Sequence, residues 1–142
     1  MKQGVLLDTG PLVAFLNKRD RLHDWTAAQW NQISPPMLTC EAVISESCFL
    51  LTKTNGGSDP VMQLIQRNII TISFRLDDNI DPVKKLLLKY QSVPMSLADA
   101  CIVRMSELFS NSYVFTLDSD FNLYRKQGRH VIPVIWPDKL LL

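Results

Sequence analysis

Cysteine and histidine are scarce. The three cysteines, Cys40, Cys48 and Cys101, form no CxxC pair and leave one odd, and His23 and His130 lie far apart. Such a set supports neither a disulfide framework nor a zinc site, whose ligands come in closely spaced groups. Net charge is nearly absent as well. A formal +1 on 142 residues creates no strong global field, so any nucleic acid would be held by a local basic patch. The charge balance neither proposes nor excludes RNA. No apolar run reaches the roughly eighteen residues of a membrane span. The apolar opening at 4–7 is cut by Asp8 and the Gly10-Pro11 turn before it reaches signal-peptide length. The expected compartment is therefore the cytoplasm. Internal repeats and low-complexity segments are also missing.

What the chain does have is apolar content, 46% of its residues, enough for one domain over 1–142 that buries roughly 70% of the surface exposed when unfolded. Short apolar runs alternate with helical periodicity. Strands are predicted at 5–7, 37–39, 69–72, 113–115 and 131–135, the last an edge-like strand tolerating Pro133. Helices are predicted at 12–17, 23–33, 41–53, 59–67, 77–90 and 96–109, with stops at Ser34-Pro35-Pro36 and Asn55-Gly56-Gly57. This alternation predicts an α/β domain with a mainly parallel sheet and helices on both faces.

Open parallel sheets bind ligands beyond the carboxyl ends of their strands, so acidic residues just after strands matter most. Asp8 follows the first strand directly, and Asp118 and Asp120 follow the fourth in Thr116-Leu117-Asp118-Ser119-Asp120-Phe121. Glu46 lies about two turns into the apolar helix after the second strand, and Asp99 in the first turn of another. The aspartates have a plainer reading as caps or turn formers: Asp8 as a helix cap, Asp99 with Ser96 as a capping box, Asp118 and Asp120 in a turn. Glu46 fits neither, because no basic residue stands three or four positions away to pair with it. Taken together the four positions imply a cation. Two carboxylates about 5 Å apart at an effective dielectric near 20 repel by roughly 3 kcal/mol. All-oxygen ligands favour Mg²⁺ or Mn²⁺ over zinc, and a few carboxylates with retained water and substrate phosphate is the usual Mg²⁺ arrangement. The substrate class this implies is a phosphate ester, attacked by a metal-activated water.

The run from Leu6 to Leu16, with Asp8-Thr9-Gly10-Pro11 at its heart, resembles the opening of PIN-domain proteins, including toxins of the VapBC type. Ala42-Val43-Ile44-Ser45-Glu46 resembles their second acidic motif, Ser96-Leu97-Ala98-Asp99-Ala100 the third, and the Thr116 to Phe121 run the fourth. The resemblance implies a three-layer α/β/α sandwich on a five-stranded parallel sheet and Mg²⁺- or Mn²⁺-dependent cleavage of RNA. Carried over, it puts Asp8, Glu46, Asp99 and Asp118 at the metal and its attacking water. Thr9 and Thr116 would support them through their hydroxyls, and Asp120 would assist or bind a second ion. Whether Asp118 or Asp120 is the fourth ligand stays open, because many relatives space this motif differently. Homodimers are common in the family, and its toxins have an antitoxin protein as partner, but the resemblance does not say that this chain is a toxin.

Lys18, Arg19, Arg21, Lys53, Arg104, Arg125 and Lys126 are candidates for holding RNA phosphates, and Phe121 and Tyr124 for stacking a base, though a solvated face or core packing explains them equally. The helices around Trp25, Trp30, Phe49 and Leu50 could include a partner surface, yet core packing accounts for most of them. A phosphatase of the haloacid-dehalogenase type would need a second Asp where Gly10 stands, and a receiver domain an Asp after the third strand, where Ser73-Phe74-Arg75 has none. The competing reading is a PIN-like module that binds RNA or protein without cutting. The filled acidic quartet weighs against it.

Overall fold

The computed structural model describes residues 1–54 and 56–137. In chain order it runs β1 (Val5–Leu7), α1 (Thr9–Leu16), α2 (His23–Trp30), β2 (Met37–Thr39), α3 (Glu41–Leu50), α4 (Asp59–Gln66), β3 (Ile70–Ile72), α5 (Ile80–Lys89), α6 (Leu97–Leu108), β4 (Tyr113–Phe115), β5 (Arg125–Lys126), β6 (His130–Val131) and β7 (Val134–Ile135). Five strands form one parallel sheet in the order β3-β2-β1-β4-β7, flanked by the helices in a three-layer α/β/α arrangement. All three β1 residues are buried. A strand in mid-sheet between helical layers has no solvent face, so its sequence is continuously apolar instead of alternating. Burial of each Leu or Val there contributes about 1.5–3 kcal/mol.

Register is fixed on both sides of β1. Leu6 stands opposite Leu38 of β2 and Val114 of β4, and the Thr39 hydroxyl donates to the Leu7 carbonyl at 2.8 Å, tying the carboxyl ends of β1 and β2. On the other side, the Asp8 amide donates to the Phe115 carbonyl at 3.1 Å. The rim where β1, β2 and β4 end is thus tied by one bond on each side of β1. Helix α6 packs on β1 and β4 and against α3 and α5, while α1 packs against α2 and α3.

Three local expectations change. The strand over 131–135 divides at Pro133: His130–Val131 pairs antiparallel with Arg125–Lys126, and only Val134–Ile135 joins the sheet beside β4. Proline offers no N–H to a ladder, although the Pro133 carbonyl still accepts from the Val114 amide at 2.8 Å. The helix over 77–90 begins as a 3₁₀ turn, Leu76–Asn79, and becomes α-helical at Ile80. A helix from residue 77 would put Pro82 against the Asp78 carbonyl, whereas a start at Ile80 leaves Pro82 in the first turn, where its missing N–H costs nothing. A second 3₁₀ turn, Ser119–Asn122, and the β5–β6 hairpin lie where no element is predicted from sequence. No helix among the described residues is long and apolar enough to cross a membrane.

Candidate active site

Asp8 occupies the residue between β1 and α1 with extended backbone, φ −87° and ψ 170°, yet its side chain makes no capping bond to the helix. The carboxylate turns instead to β4. Its Oδ2 accepts from the Thr116 hydroxyl at 2.8 Å, and Thr116 Oγ1 accepts from the Asp118 amide at 3.0 Å. Asp118 Oδ1 in turn accepts from the Asp120 amide at 2.9 Å, which closes the turn into the Ser119–Asn122 helix. One hydrogen-bonded chain therefore links the first acidic motif to the fourth. Thr116 is fully buried, and no other group in that chain both donates to Asp8 and accepts from the loop.

Asp99 is reached from α6. Ser96 and Asp99 form the expected capping box, with the Asp99 amide donating to Ser96 Oγ at 3.0 Å and the Ser96 amide donating to Asp99 Oδ2 at 3.1 Å. The cap fixes the carboxylate at the helix entrance, and capping does not take the side chain out of the candidate site. The Tyr124 hydroxyl also lies 3.4 Å from Asp99 Oδ2, a contact with no signal in the sequence beyond an aromatic near the fourth motif. Tyr124 and Phe121 are buried, edge to face with centroids 5.1 Å apart, which makes them core and not stacking platforms.

Glu46 differs from expectation. It is exposed on α3, so a solvated face does account for it and its charge is not buried. Its position nonetheless puts its charge on Asp99.

A model of the PIN domain family matches residues 5–127. The chain belongs to that family. PIN domains are in general nuclease domains, and the match takes in all four acidic motifs of this one. No curated protein matches the chain.

Electrostatics of the PIN-domain rim follow from its burial. Desolvation pushes the Asp8 pKa from 3.8 up to about 7, with the Thr116 hydroxyl and the Thr9 backbone amide opposing and the charges of Asp99 and Asp118 adding to it. Asp99 is raised for the same reason, burial first, with the charges of Asp118 and Glu46 adding. Tyr124 is pushed upward by burial and then by Asp99 and its neighbours. These couplings bring Asp8, Asp99 and Asp118 into one electrostatic group, with Glu46 joined through Asp99. Asp120 enters through its field on Tyr124. Among the described residues, no three of His, Cys, Asp and Glu are gathered into a set that could by itself hold a metal ion.

The residues present fit a hard divalent cation. Asp8 is a buried carboxylate held among like charges, and the Thr9 hydroxyl beside it is buried without a hydrogen-bond partner among the described residues. Thr9 thus differs from expectation too, because it steadies Asp8 through its backbone amide and not through its hydroxyl. Two further details have no signal in the sequence. Gly10 lets the first turn of α1 approach the fourth motif so closely that an added Cβ would stand 3.0 Å from Leu117 Cβ. Cys40, just before α3, and Cys101, in the second turn of α6, are free and buried, and the influence of each thiol on the other pushes Cys40 up and Cys101 down.

Proposed function

We propose that this chain is a divalent-metal-dependent endoribonuclease, with Asp8, Glu46, Asp99 and Asp118 holding Mg²⁺ or Mn²⁺ and the attacking water, and Thr9, Thr116 and Asp120 in support. The observation that carries the reading is Asp8: a carboxylate buried at a strand end whose charged neighbours are Asp99 and Asp118. Such a group needs either a proton or a cation. When bound, a divalent ion supplies a water of lowered pKa and charge neutralisation on the phosphate. Thr116 keeps Asp8 aimed and ionisable by donating to Oδ2, the Ser96–Asp99 box holds the second carboxylate rigid, and the turn closed by Asp118 leaves its other oxygen for the site. Asp118 is favoured over Asp120 as fourth ligand because its charge acts on both Asp8 and Asp99.

The test is cleavage of a panel of labelled RNAs by the purified protein with Mn²⁺, with Mg²⁺ and with EDTA, beside Asp99→Asn. Metal-dependent cuts that vanish in the variant support the reading. Silence in every lane would hand the protein to the binding-module reading. A narrower form, a cytoplasmic homodimeric toxin neutralised by an antitoxin, is tested by inducing the parent and Asp99→Asn in cells: growth arrest by both or by neither would exclude it.

A further inference from the structure

The basic residues singled out in the sequence separate once their surroundings are seen. Arg104 bonds Asn79 at 2.9 Å and Glu107 at 3.2 Å, and Arg125 donates to the carbonyls of Asn122 and Tyr124. Both are committed to the fold. Lys18, Arg19 and Lys53 are exposed, and among the described residues none has a side-chain hydrogen bond or ion pair.

These three line one groove of about 1020 Å³, formed where α1 and α3 end, with Asn17, Leu50 and Thr54 completing its walls and no carboxylate among its lining residues. Both helices start at the acidic rim, α1 directly after Asp8 and α3 directly after β2. At 1.5 Å per residue their far ends lie roughly 12–15 Å from it. On α3, Phe49 and Leu50 follow Glu46 by three and four residues and so share its face. They are 74% and 53% exposed, so both side chains are open to a ligand. Phe49 stands outside the groove, next in the chain to its wall residue Leu50; unpaired cations along a groove with an exposed ring at its edge are the combination that tracks single-stranded nucleic acid, with cations for phosphates and a ring for a base.

We infer that the α1–α3 groove carries single-stranded RNA to the acidic rim, with phosphates on Lys18, Arg19 and Lys53 and a base over Phe49. This rests on the nuclease reading for its choice of ligand, but the groove has its own readout. Each phosphate contact to a single strand contributes about 0.7 to the slope of log affinity against log salt.

The experiment measures binding of a fluorescent mixed-sequence RNA oligonucleotide in EDTA, over a range of KCl concentrations. The parent is compared with Lys18→Ala/Arg19→Ala/Lys53→Ala, with Phe49→Ala, and with Lys84→Ala on the exposed side of α5 as control. The triple variant is expected to lower the slope by about 2 and to bind about 100-fold more weakly near 0.1 M salt. Phe49→Ala should weaken binding about ten-fold with its slope unchanged. Lys84→Ala should match the parent.

A triple variant that keeps the parental slope overturns the inference. So does displacement of the RNA by polyglutamate at equal charge, which would make the groove a site for an acidic protein. A parent that binds with the expected slope and never cleaves would remove the nuclease reading and leave the groove standing. A parent that cleaves while the triple variant keeps its slope would do the reverse.

Discussion

Replacing Asp8 with Asn is expected to abolish cleavage and yet raise the melting temperature of the metal-free protein at neutral pH. Burial lifts the Asp8 pKa from 3.8 to about 7. A carboxyl whose pKa is higher in the folded chain than in the unfolded one favours the fold while it holds its proton. That contribution is complete below about pH 4 and disappears as the pH climbs through 7, a loss of about 4 kcal/mol. The amide has no charge to desolvate and none to set against Asp99 and Asp118. It keeps an oxygen for the Thr116 hydroxyl, but its two N–H groups need acceptors, which halves the benefit to about 2 kcal/mol. In a domain of this size that is about 6 °C. Calorimetric melts of parent and variant in EDTA, from about pH 4 to about pH 8.5, read it directly. The variant should melt below the parent at the acid end by the roughly 2 kcal/mol its N–H groups cost, overtake it between about pH 4 and 7, and stay above it at a level gap thereafter. A gap that does not change with pH, or a variant melting below the parent at alkaline pH, would refute the account of Asp8 as a desolvated charge.

Addition of millimolar Mn²⁺ at neutral pH should raise the parental melting temperature and be reversed by EDTA, by about 2.7 kcal/mol at a hundred times the dissociation constant; identical melts would remove the metal site. Thr116→Val strips Asp8 of a bond that lowers its pKa and the Asp118 amide of its acceptor. It should cost about 1–3 kcal/mol and move the acid limb of the pH–rate profile to higher pH, and an unmoved limb would dismiss the role given to Thr116. Gly10→Ala drives a methyl against Leu117 and should destabilise by about 1–3 kcal/mol; an unchanged denaturation midpoint would show that the two segments part freely. Glu46→Gln, on an exposed helix face, should stay within about 0.5 kcal/mol of the parent in stability while cleavage falls at least ten-fold. Full activity would take Glu46 out of the site.

Most of the frame was readable because local signals and tertiary needs agree. Val5, Leu6 and Leu7 are apolar without alternation since the strand has no wet face, and Ser96 with Asp99 spells a helix entrance that the fold uses as written. The acidic rim followed from the rule that parallel strands deliver side chains to one edge. Partnerships between distant residues were not readable. Nothing local in Thr116 says that its hydroxyl will point at Asp8 and not at its own turn, and nothing in Tyr124 announces Asp99. Glu46 misled because apolar neighbours in sequence are not neighbours in space: Phe49 and Leu50, which made its surroundings look buried, are themselves exposed. Pro133 was legible as an interruption, but whether it ends a strand or merely marks an edge depended on the β5–β6 hairpin, whose residues carry no strong strand pattern.

The bond between Asp8 and Thr116 joins residues 108 apart, and it sets an order of events during synthesis. β1 leaves the ribosome first, but one of its two neighbours in the sheet, β4, is more than a hundred residues behind. At about 10 residues per second Asp8 waits roughly 10 s for its partner. Through that interval the carboxylates of the first two motifs exist without a rim to gather them. The activity proposed for the rim needs Thr116 and Asp118, so it cannot begin before β4 has emerged.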